Sequence, residues 1–395
     1  MGSWFSSNRI LSRVSRGSYE VGCVDLMVAE HPAGDPGVFV RIYYPTNEKA
    51  TPTSPRPIWP SRVEYTYGLG EYLNLSQQKI GFLSSWIVGE KKEDCLSNAA
   101  LATKAALNDE TRKEKFPVLV FSHGLGGCRH YYSVYCTSMA SHGYVVAAVE
   151  HRDMSACWTY DLIEDNDALT EKPIKMRSIS RGEKEFKIRN YQVNKRVSEC
   201  VKVFNVLEEL NMSGNIPAKI LVGEEFDWGQ FKNCLDVSRT FIGGHSFGGA
   251  TALGCTAYTT DFQAAIVLDG WTFSLDAAQQ EQSRQPTLFM NIGSWQWEEN
   301  LSVIGKISKQ NVGNALFTLK GAAHQSFSDF PFLFNSYVAR KAGVQGDTEA
   351  RRCMEAAVEM SKAFLENGKE GAKTTSQEYS DFLTEELYGR ETLKT

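Results

Sequence analysis

What the chain lacks narrows the field first. None of its apolar runs approaches the ~18 residues that a membrane-spanning helix needs, so no such helix is expected. Residues 1–20 hold no apolar core long enough for a secretory signal. The nine cysteines (23, 95, 128, 136, 157, 200, 234, 255 and 353) are odd in number and include no Cys-x-x-Cys pair. That argues against a disulfide framework and for reduced thiols in a cytoplasmic protein. Neither sign of charge prevails: 42 Lys and Arg stand against 47 Asp and Glu, a net charge of -5, so nucleic acid is not an expected partner. There is no P-loop and no His-Glu-x-x-His. The glycines of SHGLGGCRHYY (122–132) miss the dinucleotide spacing, because Arg129 stands where another glycine is required. No cofactor and no metal is implied. What remains, 395 residues at 42% hydrophobic and 11% aromatic, is the composition of a soluble globular protein with a large core.

Short β-rich apolar runs alternate with longer helical patterns. Strands are predicted at FPVLVF (116–121), YVVAAVE (144–150), RTFIGG (239–244), AAIVLD (264–269), PTLFMNI (286–292) and ALFTLK (315–320). Runs that are apolar throughout suit a parallel sheet covered on both faces. In VNKRVSECVKVFNVLEEL (193–210), Val193, Val197, Cys200, Val201, Phe204 and Leu207 fall on one helical stripe. The alternation predicts an α/β fold with a mostly parallel central sheet and helices on both faces. GVFVRIYYPT (37–46) alternates instead and is expected to be an antiparallel leading edge of that sheet. PTNEKATPTSPRPIWP (45–60) reads as a loop and the charged stretch 153–190 as an insertion. The expected organisation is an N-terminal segment (1–20), one decorated domain (21–365) and a polar surface tail (366–395).

In RTFIGGHSFGGATALG (239–254), Ser246 stands where a predicted strand ends and a small-residue helix begins, with Gly244 and Gly248 on either side. Such a turn exposes the serine hydroxyl, as in the nucleophile elbow of the α/β-hydrolase fold. The nucleophile needs a base, which in that fold follows it in the chain. Of seven histidines, His324 alone does so, in a small loop after the strand ALFTLK. The acid must lie between them. Asp269 ends the strand AAIVLD and is favoured on position, while Glu298 and Glu299, after the next strand, are its rivals. The oxyanion hole should combine the amide of Phe247 with one from the glycine-rich loop 123–127, where Leu125 is the choice. His151, at a strand end in EHRD, is read as structural. Trp271 and Phe273, just after Asp269, are candidates for the pocket wall.

The stretches GGHSFGGATA, LDGWTF, GAAHQSFSDF, FSHGLG, EHRDMSA, GEKEF and RNYQVNKRVSEC, in order along residues 20–365, resemble the platelet-activating factor acetylhydrolases. The start of the chain makes the resemblance closest to the intracellular, myristoylated type II form. The resemblance implies the triad Ser246, Asp269 and His324, and so favours Asp269 over the glutamates, with Leu125 and Phe247 as oxyanion donors. It also implies a calcium-independent serine phospholipase A2. Such an enzyme cleaves the sn-2 acetyl or shortened, oxidised acyl ester of platelet-activating factor and related phospholipids. Gly270 and the pair Ala322–Ala323 depart from the family's more usual residues, which bears on acyl preference more than on catalysis.

A phospholipid substrate implies reversible contact with a membrane surface. Met1-Gly2-Ser3-Trp4-Phe5-Ser6 fits the N-myristoylation pattern at Gly2. In GLGEYLNLSQQKIGFLSSWIVG (68–89), Leu69, Tyr72, Leu73, Ile80, Leu83 and Ile87 follow helical spacing with Trp86 alongside. Family analogy makes this a candidate interfacial helix, and packing against the domain is the competing reading. The aromatic run FSDFPFLF (327–334) either lines the lipid entrance or braces the His324 loop. A general carboxylesterase or thioesterase accounts for the triad equally well, though not for the extended match outside it. Transacetylation is a possible side activity, because it shares the acyl-enzyme.

Overall fold

The computed structural model describes residues 9–29, 37–76, 80–81, 91–103, 105–106, 109–113, 115–165, 168–180 and 182–390. Its centre is an 11-stranded sheet. Six adjacent strands run parallel, in the spatial order Val145–Val149, Phe116–Ser122, Leu235–His245, Ala265–Leu268, Thr287–Ile292 and Ala315–Leu319. The last five, in that spatial order and also in chain order, are called β1 to β5.

The run FPVLVF shows why a continuous apolar strand works here. Val118 and Val120 pack into one hydrophobic cluster, while Leu119 and Phe121 pack into the cluster on the other face. Period-2 geometry splits one apolar run between two cores. Helix α1 (Glu185–Ser213) covers one face with Cys200, Phe204 and Leu207. Ser133–Ser141 and Ala350–Ser376 cover the other with Cys136, Met139, Met354 and Phe364. All nine cysteines are buried free thiols.

Two expectations change and a third gains detail. The strand Phe39–Thr46 is antiparallel but is no leading edge: Glu20–Val28 pairs on its far side and Ile220–Val222 lies beyond that. Its side chains are buried throughout, so alternation of residue types did not mean one wet face. The stretch 153–190 contains a two-stranded hairpin, Trp158–Asp165 with Ala168–Lys175. The segment from 366 onward is no free tail. The helix Ala350–Ser376 runs through its start, Leu383–Thr384 pairs with β5, and the Thr318 hydroxyl donates to the Glu386 carbonyl (2.6 Å). Polar composition hid this because only a few of the segment's side chains, Ala372, Tyr379, Phe382 and Leu383, are buried in the core beside the backbone pairing.

The parallel register fixes where chemistry can occur. Ser122 lies opposite Gly244, His245 opposite Leu268, Leu268 opposite Met290, and Ile292 opposite Leu319. The loops after all five strands therefore emerge along one edge of the sheet, the usual location of sites in open α/β folds.

Candidate active site

Ser246 closes the turn from β2 into helix α2 (Phe247–Tyr258), with φ 57° and ψ −116°, a conformation costly for any residue with a Cβ. The flanking glycines permit the turn. A Cβ on Gly248 would lie 2.0 Å from the Ser122 carbonyl oxygen, and one on Gly244 would lie 2.2 Å from the Gly248 carbonyl oxygen.

Asp269 follows β3 and also has a positive φ, 45°. Its Oδ2 accepts a hydrogen bond from His324 Nδ1 at 2.6 Å. Its Oδ1 accepts from the Ile292 amide (2.9 Å) and from Gln296 Nε2 (2.7 Å). Asn300 in turn donates to the Gln296 side-chain oxygen and to the Gly270 carbonyl (2.8 Å), so the carboxylate is held at two removes. Glu298 and Glu299, the rival acids, instead open the helix Glu298–Ser308, in keeping with the preference for acidic groups there. Burial pushes the His324 imidazole down to about 3, which leaves the ring neutral and able to accept a proton at Nε2. Burial raises the Asp269 carboxyl, and the Gln296 and Ile292 donors work against that rise by stabilising its charge. Trp295 stacks on the His324 ring at 3.8 Å and 12° and fixes its plane.

In the glycine-rich loop after β1, most amides are already engaged. Gly124 donates to the Tyr132 hydroxyl (3.0 Å), Gly126 to the Ser155 carbonyl (2.8 Å) and Gly127 to the Gly124 carbonyl (3.0 Å). The amides of Leu125 and Phe247 meet no acceptor among the described residues. Leu125 lines the cavity, and Phe247 directly follows Ser246, which lines it too.

Side chains that sequence patterns did not single out brace this edge. The Tyr132 hydroxyl reaches His245 Nδ1 (2.9 Å), and His245 Nε2 reaches the His324 carbonyl (3.0 Å). A carbonyl can only accept, so Nε2 carries the hydrogen and Nδ1 accepts from Tyr132. The chain Gly124–Tyr132–His245–His324 thus ties the glycine loop to the histidine loop. Tyr132→Phe would leave a buried amide and a buried ring nitrogen unpaired. It is expected to cost about 1–3 kcal/mol, read from denaturant unfolding. An unchanged midpoint would show that water replaces the hydroxyl.

His151 is buried away from the cavity, with Nδ1 on Glu199 (2.6 Å) and Nε2 on the Ser122 hydroxyl (2.8 Å). Of the run 327–334, Phe330, Leu333 and Phe334 line the cavity and Phe327 packs edge-on to His245. The Asp329 carboxylate accepts from the Ser133 and Val134 amides (2.8 and 3.0 Å), capping the helix Ser133–Ser141. The run therefore both lines the cavity and packs beside the His324 loop.

Ser246 and His324 lie on one cavity of about 790 Å³, walled by Leu69, Tyr72, Trp271, Trp295, Phe330 and Phe334 among others, a size and character suited to an apolar ligand. Trp271 is on that wall; Phe273 is not, stacking instead on the Trp271 ring (5.6 Å). Gly270, Ala322 and Ala323 are off the wall too, and a Cβ on Gly270 would point at Val267, so these departures do not touch the lining. Within the expected interfacial stretch, the helix Val63–Tyr72 ends at a turn through Leu73 and Asn74, and residues 80 and 81 are again helical. Leu69, Tyr72, Leu73 and Ile80 line the cavity, while Leu83, Trp86 and Ile87 fall outside the described residues, as does Gly2.

A strand-to-helix serine, a carboxylate-held histidine and an apolar cavity over both belong together in ester hydrolysis. The family described as platelet-activating factor acetylhydrolase, isoform II, matches residues 4–386. The chain belongs to this family. Platelet-activating factor acetylhydrolase of Gallus gallus is 34% identical over 376 residues, covering 93% of this chain and 85% of that one. The protein of the same name from Canis lupus familiaris is 34% identical over 360 residues, covering 90% and 77%. Ferulic acid esterase from Streptomyces cinnamoneus shares the fold, with a TM-score of 0.58 at 20% identity over 92% of this chain and 93% of that one. This acetylhydrolase-family chain is a serine ester hydrolase on a mostly parallel α/β-hydrolase sheet.

Proposed function

We propose that the chain is a calcium-independent phospholipase A2 that removes acetyl or shortened acyl groups from the sn-2 position of glycerophospholipids such as platelet-activating factor. The observation that carries this reading is the Asp269–His324 hydrogen bond, with His324 and Ser246 on the wall of one apolar cavity. In this reading His324 Nε2 takes the Ser246 proton as Oγ attacks the ester carbonyl. Asp269 holds the imidazole in the required tautomer and stabilises its cation. The free amides of Leu125 and Phe247 receive the oxyanion, each worth about 3–4 kcal/mol by analogy with other such donors. His324 then protonates the departing lysophospholipid, and water attacks the acyl-enzyme by the same route.

Membrane contact fits the cavity mouth. Tyr72, Leu73 and Leu75 line the cavity and are also exposed, an apolar rim beside the entrance. A myristoyl chain on Gly2 would supply a second anchor, by itself weak and reversible, to a cytoplasmic enzyme. No helix among the described residues is long and apolar enough to cross a membrane.

The test is release of acetate from 1-alkyl-2-acetyl-glycerophosphocholine in the presence of a calcium chelator, beside a long-chain phosphatidylcholine. Fast release from the acetyl lipid with the long-chain lipid spared is the expected result. Cleavage of simple esters alone would leave a carboxylesterase and remove the phospholipid assignment.

A further inference from the structure

The cavity wall is mostly aromatic and aliphatic, with a few neutral polar side chains such as Thr66, Ser294 and Gln325. Among the described residues that line it there is no aspartate, glutamate or lysine, and Arg390 brings the sole permanent charge. The two histidines on the wall, His245 and His324, are held neutral by burial.

Arg390 reaches this position because the C-terminal segment is anchored along the loop after β4. The Tyr388 ring lies against Gly293, where a Cβ would come 2.2 Å from the ring. Gly389 lies against the Gln296 carbonyl, where a Cβ would come within 2.7 Å of that oxygen, and the Arg390 amide donates to the same carbonyl at 3.0 Å. The guanidinium stands 5.8 Å from the Trp297 ring centre, an aromatic platform for the cation. It is exposed, so it is free to receive a ligand group arriving with the substrate.

We propose that Arg390 is the phosphodiester-binding residue of this site and sets its preference for phospholipid over uncharged esters. This rests on the phospholipase reading above. In a glycerophospholipid the phosphodiester is only a few bonds from the sn-2 ester, so with the ester carbon at Ser246 the phosphate must lie in the same cavity or at its mouth. A guanidinium pairs with two phosphate oxygens at once, its planar fork matching the phosphodiester. A neutral ester makes no such contact.

The experiment compares wild type with Arg390→Gln and Arg390→Lys on two substrates, 1-alkyl-2-acetyl-glycerophosphocholine and an uncharged aryl acetate. The ratio of kcat/KM for phospholipid over aryl ester is expected to fall at least tenfold in Arg390→Gln. The change should lie in KM, with partial recovery in Arg390→Lys. A second readout is inhibition of aryl ester cleavage by a dialkyl ether glycerophosphocholine, which has no ester to cleave; its Ki should rise by a similar factor. An unchanged ratio and Ki, or an equal fall on both substrates as expected from mere anchoring of the Gln296 loop, overturns the assignment. If wild type ignores the phospholipid altogether, the phospholipase reading falls and takes this assignment with it.

Discussion

Ser246→Ala is expected to abolish ester hydrolysis, lowering kcat by about a million-fold on the scale seen when other serine hydrolases lose their nucleophile. Among the described residues on the cavity wall, His324 is placed to take a proton, Tyr132 is committed to Gly124 and His245, and the Ser294 hydroxyl to the Ala322 carbonyl. The fold should not suffer. Alanine keeps the Cβ that already tolerates φ 57°, and the Ser246 side chain caps no helix in the structure. Ser246→Gly relieves that conformation and should raise stability by about 0.5–1 kcal/mol while remaining inactive, a trade of stability for function common at active sites. Acetate release and thermal unfolding on the same preparations check both halves. Activity surviving in a well-folded Ser246→Ala protein would end the assignment of the nucleophile.

Arg196→Met is expected to be the most destabilising change near the site, because it strands a buried carboxylate. Arg196 and Asp153 are both fully buried and pair at 3.2 Å. The guanidinium also donates to the Ser155 hydroxyl (2.6 and 2.9 Å) and to the His123 carbonyl (2.5 Å), and lies 4.4 Å over the Phe247 ring. Removing one partner of such a pair costs about 3–5 kcal/mol. For a chain of this size, at ~2.1 cal/mol/K per residue, that lowers the melting temperature by roughly 4–6 °C. The activity should fall as well, through geometry. Arg196 holds the His123 carbonyl and the Ser155 carbonyl holds the Gly126 amide, so together they fix the loop segment on either side of Leu125. Arg196→Met with Asp153→Leu should recover part of the stability, since no charge is then left buried alone, but not the activity. Two single changes whose costs simply add would show that the pair is not coupled.

Arg196 also shows how much a motif can carry without stating its purpose. RNYQVNKRVSEC and EHRDMSA mark this family in sequence, yet no rule of spacing relates residue 196 to residue 153. The fold brings them together because helix α1 lies across the sheet behind the glycine loop, and their shared proton donors and acceptors then brace that loop. His151 belongs to the same buried layer through Glu199 and Ser122.

The sequence by itself determined the parallel sheet, since apolar runs of strand length separated by helical stripes have few other ways to hide their surface. It pointed to the serine turn, because glycine is needed at 244 and 248, and to His324 as the candidate base, because chain order left no other histidine after Ser246. Asp269 over Glu298 and Glu299 needed family resemblance, as position at a strand end gave only a preference. Tertiary structure alone decided the rest. Gln296, Asn300, Trp295 and Tyr132 act through contacts between residues far apart in the chain, which local periodicity does not record. The same holds for the C-terminal segment, whose polar composition reads as solvated until the backbone of Leu383 and Thr384 completes the sheet edge and Arg390 reaches the cavity. Hydrophobic pattern reports what is buried; it is silent on which polar groups meet, because hydrogen bonds depend on angles and distances that only the packed chain fixes.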